Sequence, residues 1–589
     1  MQLKTEPLQK RTAKRQWHTR QVERQLGIAL ILLAIAIGFV TRILAVFQYV
    51  TFDIGPDPDQ IRDAFVVMDF WKGNFPTLGP SAYGAGLGGF HVPPLYYYLF
   101  FPFTVFGKTP AAQAFPNAFF SFLSIPLFIV LIFRLLKGVH ASKRLFLSGL
   151  SGFWYSLLFG NIFISNFQWN PSSIPFFFMI FTLLYDVQMK AIASWKIQIS
   201  TWIGSGIVLS VLMSLHSSTL FVMPVVYAII SLNFIFKIFK EQGINLRLAL
   251  PGLGGLSAIA LLTPYWIGES KNHFGNTKSI LRAVLSALGS ASESTLGSAS
   301  GSASASTLGG DEKTFFLLNF LLNIIERLGN VALHILNVVR QVYFWNESVL
   351  YLVISLVAIA LIFAVALVKF KGNRTIWLLW LSTWALLLLA AASLDPGETI
   401  FYYRILVVTA PIVLTAVALA YVKLSGPKAI AYFLAIAAFI TLSCLNNLYH
   451  DAQFMAAKYG PHRVMNTQEV AQIMEQLPTG ANICDPRIAR KRSTINQYRY
   501  IDIYLTHKQI QAVSECQAGS YVIHPKRILD LSGNFLNAGN YQDTYFIETD
   551  TSSAMKLWPI LKTTKNLEIT RPASLVMETQ TAHVYLLSQ

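Results

Sequence analysis

The sequence predicts a polytopic α-helical membrane protein of about 11 to 13 transmembrane helices, carrying a small C-terminal extracytoplasmic α/β domain. Three observations lead there. Of 589 residues 54% are hydrophobic and only 13% charged, with mean hydropathy +0.48, too apolar for a chain that lives in water. Apolar runs recur at the length of about 20 residues that roughly 30 Å of hydrocarbon demands. The cations collect in alternate gaps between those runs, where the positive-inside rule puts them. That placement also disposes of the net charge of +17 as a sign of nucleic acid, since the basic residues do not share one soluble face.

Residues 1–26 form a basic start with Lys4, Lys10, Arg11, Lys14, Arg15, Arg20 and Arg24. A full-length apolar run follows without a small-residue cleavage site, so the start reads as a retained cytoplasmic anchor rather than a removable signal. Spans are expected near 27–49, 111–136, 145–165, 173–189, 198–215, 217–239, 248–267, 349–370, 375–394, 404–421 and 429–447. The gaps with Lys137, Lys143 and Arg144, with Lys190 and Lys196, with Lys237, Lys240 and Arg247, with Lys369, Lys371 and Arg374, and with Lys423 and Lys428 are the cytoplasmic ones. Eleven crossings put the amino terminus inside and residues 448–589 outside.

The first outer loop, 50–110, reads as structured. Asp57 suits an N-cap, Pro58 the first turn and Gln60 the capping-box position of a helix running to about Lys72. Val92 to Phe106, rich in proline and tyrosine, reads as an interfacial helix. A second outer loop spans 268–348; its Ser/Ala/Gly-rich stretch 285–310 cannot bury a core and reads as flexible, a tolerated insertion or a lid, and 315–345 as interfacial or cavity-lining helix. The tail combines a helix over Thr467 to Leu477 with strand-like runs at Ser520 to Ile523, Thr544 to Glu548 and Leu575 to Leu587. Its role is a structural cap or, alternatively, substrate recognition. Cys444 falls in the last span; Cys484 and Cys516 lie in the tail, as a disulfide or as two thiols.

Polar chemistry gathers on the outer side. The outer gaps hold Asp53, Asp57, Asp59, Arg62 and Asp63; His91; Trp169, Asn170 and Pro171; His216; Glu269, Lys271, Asn276 and Lys278; and Tyr402, Tyr403 and Arg404. The inner gaps are short and basic. Asp59, just inside the helix start, is the candidate general base for an incoming hydroxyl; the alternative is a carboxylate that complements the helix dipole, worth about 0.3–1 kcal/mol. Arg404 suits a phosphate through paired donors or, alternatively, an interfacial anchor, and Lys271 and Lys278 share that ambiguity. The Trp169-Asn170-Pro171 turn reads first as a span terminator and second as a ligand contact, and His216 as a satisfied polar group between helices.

Asp59-Gln60-Ile61-Arg62-Asp63-Ala64 after the first span, then Pro93-Pro94-Leu95-Tyr96-Tyr97-Tyr98 and a Phe106-Gly107 end, resembles the first outer loop of the GT-C glycosyltransferases. The chain is similar over roughly residues 27–425 to the dolichyl-phosphate-mannose protein mannosyltransferases and the aminoarabinose transferases of lipid A, with Trp169-Asn170-Pro171, Leu215-His216-Ser217 and Glu269 through Asn276 as further landmarks. The resemblance implies a GT-C transmembrane catalytic domain over 27–447 in a plasma (inner) membrane of bacterial type, and transfer of a sugar, with inversion, from a polyprenyl-phosphate donor to a lipid, glycan or protein acceptor outside the cytoplasm. It puts the catalytic aspartate on Asp59 and the loop arginine on Arg62. Arg404 is then the first candidate to stabilise the leaving phosphate, with Lys271 and Lys278 in reserve; Asp57, His91, Tyr97, Asn170, His216, Glu269 and Tyr403 complete the expected substrate-binding set. No cofactor is called for. A divalent metal stays an open alternative, weakened because Gln60 stands where many relatives carry a second carboxylate, and His91 stands one position before the usual basic site. Rival readings are an O-antigen ligase or polymerase, and a transporter or lipid flippase, which would show mid-span charges and internal repeats.

Overall fold

The computed structural model describes residues 8–48, 58–82, 90–190, 194–289, 329–336, 370–394, 405–421, 427–460, 466–484, 498–513, 517–525, 527–529, 535–537, 573–580 and 582–587, with single positions between 338 and 368. Helices dominate. Among the described residues five are long and apolar enough to cross a membrane, Trp17–Phe47, Pro110–Leu135, Asn170–Lys190, Trp195–Leu215 and Ser217–Gln242, or up to seven if each of two bent pairs is one span. The 26 residues of Pro110–Leu135 reach about 39 Å at 1.5 Å per residue.

In chain order the helices are α1 (Leu8–Gly38), α2 (Pro58–Asp69), α3 (Leu95–Phe100), α4 (Pro110–Leu135), α5 (Ala141–Ser156), α6 (Phe159–Ser165), α7 (Ile174–Lys190), α8 (Trp195–Leu215), α9 (Ser217–Gln242), α10 (Leu250–Leu261), α11 (Thr263–Lys271) and α12 (Gly275–Gly289). They continue with α13 (Arg374–Leu394), α14 (Ala410–Tyr421), α15 (Pro427–Tyr459) and α16 (Thr467–Gln476). Two expected spans are bent by 58°: α5 with α6, and α10 with α11. At the first break the Phe159 amide, which has lost its helical acceptor, donates to Asn447 Oδ1 at 2.9 Å. At the second, Pro264 supplies no amide and opens the new helix instead. The expected span 349–370 and the segment 315–345 lie largely outside the described residues, as does most of 285–310, although α12 carries the helix on to Gly289.

The end of α1 loosens into a π turn, Phe39–Leu44, and a 3-10 turn, Ala45–Phe47. Unwinding frees carbonyls, and α15 returns to satisfy them. Lys458 Nζ donates to Ala45 O at 3.0 Å and Asn166 Oδ1 at 3.2 Å, and Tyr459 donates to Leu44 O. A cation at the carbonyl end of a helix is electrostatically favoured there. In the same region the buried Arg42 donates to Ser121 Oγ, Thr41 Oγ1 and Ser156 O, so α1, α4 and α5 share one guanidinium.

The short strands β1 (Ser81–Ala82) and β2 (Phe90–His91) pair antiparallel. The tail strands are β3 (Asn482–Cys484), β4 (Gln511–Val513), β5 (Tyr521–Pro525), β6 (Arg527–Leu529), β7 (Phe535–Asn537), β8 (Ala573–Glu578) and β9 (Ala582–Leu587). A five-stranded sheet runs β4-β3-β5-β9-β8, its first three strands parallel and the β8–β9 hairpin antiparallel, with β6 and β7 as a separate pair. Against it packs α16, opened by a capping box in which Asn466 Oδ1 accepts from the Glu469 amide and Glu469 Oε2 from the Asn466 amide. Val470, Ile473 and Met474 of α16 meet Ile483, Ile523 and Val584 of the sheet in a core of their own. The predicted run Leu575 to Leu587 is thus two strands, turned where the Thr579 amide bonds Ala582 O; Thr544 to Glu548 lies outside the described residues. Cys484 is disulfide-bonded and Cys444 is a buried free thiol.

Candidate active site

Asp59 stands in the first turn of α2, where the Asp-Gln-Ile-Arg-Asp-Ala pattern places it. The helix is held from within by Asp63, whose carboxylate is fully buried. Its Oδ1 accepts from Arg62 Nε at 2.9 Å and Nη2 at 2.8 Å, and from Tyr97 Oη at 2.8 Å. Buried charges need such partners, because desolvation without them costs several kcal/mol. Burial pushes the Tyr97 hydroxyl well above its ordinary range, with the neighbouring carboxylate adding to the effect, so it stays protonated and donates at every working pH. Arg62 reaches further, from Nη1 to Ser81 Oγ at 2.9 Å, tying α2 to β1. Most of the guanidinium is therefore engaged in holding the loop together, while its side chain remains about a third exposed (31%).

Aromatic residues around this network form a floor. Phe70, at the end of α2, stacks on Phe101 at 4.7 Å and meets Tyr98 edge-on at 5.1 Å. Trp71 Nε1 donates to Thr104 Oγ1 at 3.0 Å, and Tyr98 Oη to Pro76 O at 3.1 Å. The expected interfacial segment is thus α3 followed by a 3-10 turn, Phe101–Phe106.

The two long loops expected on the outer side meet. The Asn276 side chain makes a two-way bond with the His91 backbone, accepting from its amide at 2.6 Å and donating to its carbonyl at 2.9 Å. The His91 ring bonds Gly79 O through Nδ1 at 2.9 Å, inside its own loop. Gly268 lets α11 come against Thr77, since a Cβ there would lie 2.6 Å from Thr77 Oγ1. Glu269 is fully buried and its Oε2 accepts from both the amide, at 2.7 Å, and the hydroxyl of Thr277 in the first turn of α12. That is where a carboxylate complements a helix amino terminus. Lys271 and Lys278 stand exposed at the same corner.

Asn170 and His216 serve helix ends. Asn170 Nδ2 donates to Leu215 O, the last carbonyl of α8, and His216 Nδ1 accepts from the Ser218 amide at 3.2 Å as the N-cap of α9. A third amide, Asn117, was not singled out in the sequence. Its Nδ2 holds Phe167 O and Trp169 O at 2.7 and 2.8 Å while Oδ1 takes Ser173 Oγ at 2.8 Å, which orders the whole Trp169-Asn170-Pro171 turn. Asp53, Asp57, Tyr402, Tyr403 and Arg404 lie outside the described residues. Among the described residues, no three His, Cys, Asp or Glu side chains gather as a metal site.

A mostly helical multi-pass membrane domain with a built loop after its first long helix is the class of molecule these features define. Its fold is similar to that of ArnT from Cupriavidus metallidurans bound to undecaprenyl phosphate, with TM-score 0.46 and 12% identity over 94% of this chain and 97% of that one. It is also similar to the Archaeoglobus fulgidus oligosaccharyltransferase in complex with Zn and sulfate (TM-score 0.39, 14% identity, 82% of this chain and 62% of that one). A further similar structure is AglB of Archaeoglobus fulgidus with an inhibitory peptide and a dolichol-phosphate (0.37, 13%, 88% and 74%). No family model matches the sequence, and no curated protein matches it.

Proposed function

We propose that the protein is an inverting glycosyltransferase that moves a sugar from a polyprenyl-phosphate donor to an acceptor hydroxyl on the outer side of a plasma membrane. The observation that carries this reading is the construction of the first outer loop. The helix that bears Asp59 is braced by a buried Asp63–Arg62–Tyr97 network and clamped, through the β1–β2 pair and Asn276, to the second outer loop. General-base catalysis needs a carboxylate held at fixed distance from the attacking oxygen, and this loop is built to hold one.

In the proposed reaction the Asp59 carboxylate takes the proton of the acceptor hydroxyl as its oxygen attacks the anomeric carbon from the face opposite the phosphate. The bond from that carbon to the phosphate oxygen breaks, the electron pair leaves with the polyprenyl phosphate, and the sugar configuration inverts. Arg404, or in its place Lys271 or Lys278, stabilises the departing phosphate; fixed cations aimed at developing charge commonly contribute a few kcal/mol. Eleven to thirteen crossings, a cytoplasmic amino terminus and an outer tail from about residue 448 complete the proposal. Membrane lipids supply the donor's surroundings, and the acceptor is a lipid, glycan or protein.

An envelope extract that keeps lipids, glycans and proteins, made from a strain deleted for the protein, holds any unused donor and acceptor. Purified protein added to that extract is expected to form a new glycosidic bond of opposite anomeric configuration to the donor, read by NMR. Movement of labelled lipid across vesicles with no glycosidic bond formed would replace the transferase reading with a transporter.

A further inference from the structure

The tail does not stand apart from the outer loop. Its segment 498–506, which ends in the turn Asp502–Thr506, has two faces. Tyr498 and Ile501 belong to the tail's own core with Val470, Ile473 and Ile483. Tyr500 and Tyr504, four positions apart and so on one helical face, leave that core and meet α2. There Tyr500 is fully buried against Ile61, Ala64 and Met68, with the Phe65 ring edge-on at 5.3 Å and the Tyr504 ring at 4.8 Å. The Tyr500 hydroxyl reaches a third element: it donates to Lys108 O at 2.5 Å and accepts from Gln113 Nε2 at 2.6 Å, at the start of the membrane-length helix α4. Positions 61, 64, 65 and 68 make one stripe of α2, and positions 59 and 63 fall on the opposite side at about 100° per residue.

From this geometry we infer that the tail is a brace for the helix that carries Asp59, and that Tyr500 is its positioning residue. The ring sets the position of α2, and the hydroxyl refers that position to the end of α4. The inference rests on the transferase reading, because the position of α2 matters to activity only if Asp59 acts from it.

The test uses the full chain in nanodiscs, with hydrogen exchange of α2 amides and restoration of the envelope sugar adduct lost in a deletion strain as its two readouts. Tyr500→Ala is expected to speed exchange over Ile61–Asp69 while β3, β5 and β9 stay as in the unaltered protein. Adduct formation should fall on the order of tenfold to a hundredfold at equal membrane abundance, the scale of a misplacement of about 1 Å. Tyr500→Phe keeps the ring and should recover most of the activity. Gln113→Leu, which leaves the tail untouched, should weaken activity in the same direction and keeps the test decisive if Tyr500→Ala does not fold. Unchanged α2 exchange, or full activity in both Tyr500→Ala and Gln113→Leu, overturns the brace. An Asp59→Asn control separates the two ideas: a fully active control removes Asp59 from the mechanism and with it the ground on which the brace rests, whereas an inactive control beside a fully active Tyr500→Ala removes the brace alone.

Discussion

Tyr97 and Asp63 carry the outer loop on a single oxygen, and their contribution can be measured. A hydrogen bond to a buried carboxylate contributes about 1.5–3 kcal/mol, so Tyr97→Phe should lower unfolding stability by that amount. Thermal unfolding in detergent checks it, and an unchanged midpoint would show that the bond is not formed in solution. At this scale the sequence was partly legible. The Asp-Gln-Ile-Arg-Asp-Ala pattern marked α2, but it did not say that Arg62 would be spent on Asp63 and Ser81, because which partner a guanidinium takes depends on residues far along the chain. Glu269, Asn170 and His216 were expected at the substrate, and each is engaged with a helix end, the other use for polar side chains at such positions. Lys458 gave no signal: only the return of α15 onto unwound carbonyls gives it acceptors.

Helix pairs pack as closely as their smallest residues permit. A Cβ on Gly206 of α8 would lie 1.9 Å from Gly254 O of α10, so two backbones touch there with no room for a methyl group. Gly206→Ala should force α8 and α10 apart and lower the thermal midpoint, whereas Gly252→Ala, with open space around its position, should leave it unchanged. Equal midpoints for the two would contradict the packing. Hydropathy located the long helices well, since a run of apolar residues has one use at this length. It missed the 58° bends and the extension of α15 to Tyr459, because a bend depends on who satisfies the freed amide, as Asn447 does for Phe159, and not on apolarity.

Taken whole, the molecule joins a bundle of apolar helices to a sheet-bearing tail through a short list of polar contacts. Asn466 meets Gln48 at 2.6 Å where α16 begins, Lys458 and Tyr459 grip the end of α1, and Tyr500 joins α2 to α4. In the tail the sequence marked β5 and the run that holds β8 and β9, but not β3, β4, β6 or β7, nor the docking, since Tyr500 and Tyr504 look like ordinary strand or helix aromatics until α2 is set beside them. Of these residues Tyr500 packs against the element that bears Asp59. The most direct test of the central claim is the rate of sugar transfer by purified Asp59→Asn, with an envelope extract of lipids, glycans and proteins from a deletion strain as substrate. A fall of about a hundredfold to ten-thousandfold, with unfolding temperature unchanged, is the predicted result; transfer at the unaltered protein's rate would contradict the account.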